Sequence, residues 1–204
     1  MGMQQTDEQV DIVDEEHVVG LSGAALFAAL TGALAYLSIP YPLSPAPVTL
    51  QVLGVFLTAT FLGAKWGGVS AVLYVQAGAL GAPIFAGGGA GLGTLLGPTG
   101  GYLWSYPIAV ALMGWLAYGQ LGIGSPSETG TTRLVAALAA GTLVIYALGT
   151  AQMMVVSDLA IVEAIWVGAV VFFPAEAAKI AAAVAVVRSG AVPDWSAEGI
   201  ASRR

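Results

Sequence analysis

A chain of 204 residues with 57 % hydrophobic and only 9 % charged residues is not a soluble domain, since those carry about 25 % charged residues. It reads as an integral membrane protein with room for about five or six apolar helices of about 20 residues each, and for no second domain. A net charge of −6, with six Lys and Arg residues scattered along the chain, argues against nucleic-acid binding, and the lack of cysteine excludes disulfides and thiolate metal sites.

Residues 1–17 hold Asp7, Glu8, Asp11, Asp14, Glu15 and Glu16, and read as a solvated, disordered acidic tail. The tail lacks the basic start of a secretory signal, so the first apolar segment is expected to remain in the protein. That segment, 18–39, is rich in small residues, with Ala25, Ala29 and Ala33 at i, i+4 and i+8 along one helical stripe. Such a stripe lets another helix approach closely in lipid, either within this chain or on a partner subunit. Pro40, Pro42, Pro45 and Pro47 then end the helix and hold an extended loop.

The second apolar segment runs over 48–62 and carries Gln51 near its mouth, an amide that needs a backbone or ligand partner. A short turn at 63–67 leads to the third segment, 68–80. From Tyr74 the chain enters the stretch around which the rest is organised: ten glycines between Gly78 and Gly101, no charged residue, and aromatic residues at Tyr74, Phe85 and Tyr102. Each glycine costs about 1 kcal/mol relative to alanine in a helix. Irregular backbone beside apolar helices is tolerated where it is buried or lines a cavity. The stretch therefore reads either as an external loop or as a loop folded over a small-molecule site.

The fourth segment begins at Pro98 or Thr99 and ends near Tyr118, with a kink expected at Pro107. A polar connection, 120–132, leads to the fifth segment, which starts at Arg133 and ends near Val156. Ser157-Asp158 reads as an N-cap for a short interfacial piece over 159–168. The last segment runs from about Phe173-Pro174 to Val187, and residues 189–204 form the C-terminal tail. Six spans with both termini inside put Lys65, Arg133, Arg188, Arg203 and Arg204 on the cytoplasmic side, as the Lys/Arg bias requires. The proline loop, the glycine loop between helices 3 and 4 and the 157–168 region then lie outside. The expected protein is a multi-pass plasma-membrane protein with a six-helix membrane domain over 18–188.

Glu176 and Lys179 are ionisable residues inside the last segment, three apart and so on one helical face. Each costs about 2.5–3.5 kcal/mol at the centre of a span, and such residues mark functional sites. They serve either as a mutual ion pair that permits insertion or as contacts to a ligand. An acceptor carboxylate and a donor ammonium, framed by Tyr74, Phe85, Tyr102 and glycine backbone, describe a pocket for a small polar-headed solute. Catalysis has little support: the single histidine, His17, sits in the acidic tail, and no nucleophile cluster, metal-ligand set or Gly-Lys-Ser/Thr phosphate loop is present. The chain is read as not an enzyme and as needing no cofactor; ATP would be used by partner subunits only.

Three stretches in order, Pro45-Ala46-Pro47-Val48-Thr49-Leu50-Gln51, Gly81-Ala82-Pro83-Ile84-Phe85-Ala86-Gly87-Gly88 and Gly97-Pro98-Thr99-Gly100-Gly101-Tyr102, resemble the signatures of the BioY family. Its members are the biotin-specific, substrate-binding membrane subunits of energy-coupling-factor (ECF) transporters. The resemblance covers 21–187 and implies capture of biotin for uptake together with a coupling transmembrane subunit and two ATPases. It further implies that Ala25, Ala29 and Ala33 face the coupling subunit, and that Glu176 and Lys179 contact biotin. With Gln51, Tyr74, Phe85, Gly87, Gly88, Thr99, Gly100 and Tyr102 these make the candidate ligand set. In the last segment the family's usual Pro-Gly-Asp-x-x-Lys is Pro174-Ala175-Glu176-Ala177-Ala178-Lys179 here. That departure keeps a second reading open, the same fold serving another vitamin; a membrane-embedded enzyme is the rival of a different class.

Overall fold

A computed structural model describes residues 15–192. Most of the acidic tail, and Arg203 and Arg204 of the C-terminal tail, lie outside the described residues. The fold is all-α: α1 (Glu15–Ala35), α2 (Gln51–Ala79), α3 (Gly91–Leu96), α4 (Gly100–Tyr118), α5 (Thr131–Val156), α6 (Ile161–Gly168) and α7 (Phe173–Ser189). A two-residue antiparallel pairing of β1 (Ser38–Ile39) with β2 (Val48–Thr49) closes the base of the proline loop. Four stretches, His17–Ala35, Gln51–Ala79, Thr131–Val156 and Ile161–Ser189, are long and apolar enough to cross a membrane. The chain is a multi-spanning membrane protein.

α2 is a helical hairpin. Gly63 interrupts it with φ 69° and ψ −161°, backbone angles open essentially to glycine alone. In a straight helix Gln51 and Tyr74 would stand about 34 Å apart. Instead the Gln51 amide donates to the Tyr74 hydroxyl at 2.8 Å, so the arms 51–62 and 64–79 lie side by side. The short turn expected over 63–67 is thus compressed into one residue. The bend is held from outside, because a Cβ on Gly63 would meet the Gly122 carbonyl oxygen and the Lys65 N–H donates to Leu121 O at 2.8 Å.

The hairpin, α4 and α5 form the centre of the bundle, with α1 against α2 and with α7 touching both α2 and α5. The core runs from Phe27 of α1 through Phe56, Leu62 and Tyr74 of the hairpin to Met113, Leu134, Leu138 and Ala183. α4 runs through Pro107 within helical backbone angles, where the sequence suggests a kink. The glycine stretch is partly ordered into a 3₁₀ turn at Ala86–Gly88 and the short helix α3, rather than being wholly irregular. Ser157-Asp158 does not cap α6. Ser157 instead closes α5, Asp158 takes a positive φ of 51°, and α6 opens at Ala160.

These connections gather at two ends. One end brings together the Gly63 bend, the loop after α4 and the end of α7, where Arg188 donates to Ser127 O at 3.0 Å. The other carries the proline loop, the glycine stretch and the start of α7.

Candidate ligand-binding site

Pro174 lies in the first turn of α7, where a missing N–H costs nothing. From there the helix turns Glu176, Lys179, Ala183 and Val187 inward, so its buried stripe begins with two charges. Glu176 is 4 % and Lys179 6 % exposed, and they are the only buried charged residues among those described. The ammonium donates to Glu176 Oε1 at 2.6 Å, and the Tyr146 hydroxyl of α5 donates to the same oxygen at 3.0 Å. Oε2, equally buried, has no hydrogen-bond partner in the protein. A buried carboxylate oxygen without a donor costs more than an ordinary lost hydrogen bond, which sets this atom apart from the other polar groups around it.

The pair borders a cavity of about 220 Å³. Pro45, Ala46, Pro47 and Thr49 of the proline loop line one side, with Gln51 and Val52 at the mouth of the hairpin. Phe85, Ala86, Thr94 and Thr99 come from the glycine stretch; Tyr102, Leu103 and Tyr106 from α4; Ile145 and Tyr146 from α5; and Phe172 from the turn before α7. Mostly apolar walls with a few convergent polar groups are the usual make-up of a small-molecule site. Of the buried polar side-chain atoms lacking a partner among the described residues, only Glu176 Oε2 belongs to a residue lining this cavity.

The glycine stretch is secured over the cavity by neutral donors. The Tyr74 hydroxyl donates to Ile84 O at 2.7 Å, and the Tyr36 hydroxyl bonds to Pro83 O. Gln152 of α5 donates to both Leu95 O and Gly97 O at 2.8 Å, and Trp104 Nε1 donates to Leu95 O at 3.1 Å. Phe85 is fully enclosed, edge-on to the Tyr74 ring at 5.6 Å.

Of the residues singled out from the sequence, Gln51, Phe85, Thr99, Tyr102, Glu176 and Lys179 line the cavity. Tyr74 stands behind it as the partner of Gln51. Gly87, Gly88 and Gly100 do not border it. The first two take positive φ in the 3₁₀ turn, and Gly100 is buried where a Cβ would strike the Leu95 carbonyl. Ala25, Ala29 and Ala33 all lie on the exposed face of α1, so the stripe does not serve packing inside this chain. Sequence reasoning missed Tyr146, Tyr106, Phe172 and Thr94. Tyr146 had a signal, being the sole aromatic residue in α5. Among the described residues no group of His, Cys, Asp and Glu side chains could hold a metal ion.

The BioY family model matches residues 7–193. The chain belongs to the BioY family. Similar BioY proteins include the probable biotin transporter BioY of Pyrococcus horikoshii, 46 % identical over 94 residues that span 46 % of this chain and 57 % of that protein. The biotin transporter BioY of Thermotoga maritima is 40 % identical over 62 % of this chain and 69 % of its own length. That of Rhizobium etli is 31 % identical over 81 % of this chain and 89 % of its own. The crystal structure of the S-component for biotin from an ECF-type ABC transporter matches with a TM-score of 0.77 at 23 % identity, covering 87 % of this BioY chain and 93 % of that one. The two share a fold.

Proposed function

We propose that this BioY chain is the membrane subunit that captures biotin and passes it inward with an ATP-hydrolysing ECF module. The observation that carries the reading is the buried Glu176 carboxylate with one oxygen unpartnered, beside the Lys179 ammonium, in an aromatic-walled cavity. Biotin offers a ureido head with two N–H donors and one acceptor, an apolar thioether ring and a carboxylate. Glu176 Oε2 takes an N–H donor, Lys179 with its further N–H groups meets an oxygen, and Tyr102, Tyr106, Phe85 and Phe172 cover the apolar part. Gln51, Thr49, Thr94 and Thr99 add to the polar lining. The ligand leaves unchanged, so the chain is a carrier subunit and not an enzyme.

Six spans follow if the two arms of α2 count separately beside α1, α4, α5 and α7. In this topology both termini are cytoplasmic. Lys65, Arg133 and Arg188 support it, since all three sit at the end that includes the Gly63 bend and the loop after α4. The cavity then opens to the outside, roofed by the glycine stretch. The exposed Ala25, Ala29 and Ala33 stripe docks the coupling subunit of the module, which brings two ATPases.

The same fold serving a different vitamin is the second reading, favoured by Glu176 and Ala175 standing where the family usually has Asp and Gly. Thermal unfolding of the purified protein against a vitamin panel separates the two, because a ligand of the native state raises apparent stability by mass action. A shift with biotin alone is expected. A shift with thiamin or riboflavin and none with biotin overturns the specificity while leaving the carrier role.

A further inference from the structure

We infer that Tyr146 is the positioning residue that sets the orientation of the Glu176 carboxylate, tying down one oxygen and leaving the other free for a ligand donor. Glutamate has one more aliphatic torsion than aspartate, so an unrestrained Glu176 carboxylate has more positions and orientations open to it. Here both protein donors, Lys179 Nζ at 2.6 Å and the Tyr146 hydroxyl at 3.0 Å, fall on Oε1. Oε2 is buried and left without a donor from the protein.

Lys179 shares a helix with Glu176 and moves with it, whereas Tyr146 holds the carboxylate from α5. Its ring is itself clamped, stacked on Phe172 at 6.2 Å and edge-on to Tyr102 at 6.0 Å and Phe173 at 6.3 Å. The hydroxyl is thereby a fixed donor, 8 % exposed at the residue level. Shortening residue 176 by one methylene withdraws the carboxylate by about one C–C bond, roughly 1.5 Å, and takes it out of reach of a hydroxyl now at 3.0 Å. The role of Tyr146 therefore depends on the length of Glu176.

This inference rests on the reading of the cavity as the vitamin site, and a double-mutant cycle tests it. Tyr146→Phe keeps the ring and removes only the hydroxyl. Biotin titrations of wild type, Tyr146→Phe, Glu176→Asp and the double variant are expected to show that Tyr146→Phe weakens binding about tenfold in the wild-type background. The same change should have less than about a twofold effect in the Glu176→Asp background. Equal losses in both backgrounds would mark Tyr146 as ordinary packing and overturn the inference, as would no loss in the wild-type background.

Wild-type protein that binds no biotin contradicts the proposed function instead, and a second readout then decides about Tyr146. The infrared band of the Glu176 carboxylate, identified by its loss in Glu176→Gln, reads the bond without any vitamin. A shift of that band in Tyr146→Phe supports the inference, and an unchanged band overturns it.

Discussion

At one end of the bundle arginines join neutral donors such as Tyr118 and Gln120 in holding the backbone. Arg133 Nε donates to Leu116 O at 2.8 Å, and Arg188 reaches Ser127 O and Thr129 O. At the other end the same task falls to neutral groups: Tyr36, Tyr74, Tyr102, Trp104 and Gln152 all donate to backbone carbonyls. For the buried and half-buried donors the difference follows from surroundings. Both arginines are exposed and stay solvated; of the neutral donors Tyr74 is buried and Tyr102 and Gln152 partly so, while Tyr36 and Trp104 are exposed. A neutral donor loses far less on leaving water than a guanidinium does. Using neutral donors to hold the backbone at the second end leaves Glu176 and Lys179 as the only buried charges among the described residues.

The largest effect that would test this comparison lies at the arginine end. Gly63→Ala forces a side chain into φ 69° against the Gly122 carbonyl, and should destabilise the fold by about 3 kcal/mol. The melting temperature in detergent should fall by roughly 6–12 °C. A change within a degree or two would mean that the hairpin bend is not fixed as described.

Gln152→Ala comes next. It strips partners from Leu95 O and Gly97 O, and a buried acceptor left alone costs about 1–3 kcal/mol. Because Trp104 still serves Leu95, a melting drop of roughly 2–6 °C is expected, with weakened biotin affinity because the cavity roof loosens. Unchanged affinity would separate the glycine stretch from binding.

Arg188→Gln should cost within about 0.5 kcal/mol, as an exposed change, and leave biotin affinity unaltered by titration. A large affinity loss would show that the two ends are coupled. Ala29→Leu is expected to change neither melting nor affinity, yet to abolish uptake in cells that supply the ATPase module. Loss of affinity there would place the stripe in the binding fold instead of at a partner.

How much of this was legible in the sequence depended on whether a partner was local. Glu176 and Lys179 share a helix, so their spacing alone put them on one face, and the structure pairs them. The turn after the second segment was legible from its glycines, but not its compression onto Gly63, because the Gly122 carbonyl that holds it comes from another loop. Ser157-Asp158 misled because a cap signal is the same whether a helix closes before it or opens after it. Tyr146 meets Glu176 from 30 residues away, and only tertiary packing makes it part of the cavity. Gly100 was legible as part of a motif, but its role is close approach to Leu95 and not contact with the cavity.

The central claim is that Glu176 and Lys179 are ligand contacts and not merely a pair that neutralises itself. Calorimetric titration of biotin into wild type, Glu176→Gln, Lys179→Met and the double variant tests it most directly. Each single change should weaken binding about 10- to 150-fold, the value of a charge-assisted hydrogen bond of about 1.5–3 kcal/mol. Thermal stability should recover in the double variant, since a buried pair is often no better than a neutral match. Its affinity should not recover, staying at or below that of the worse single variant. Near-wild-type biotin affinity in the double variant would contradict the account.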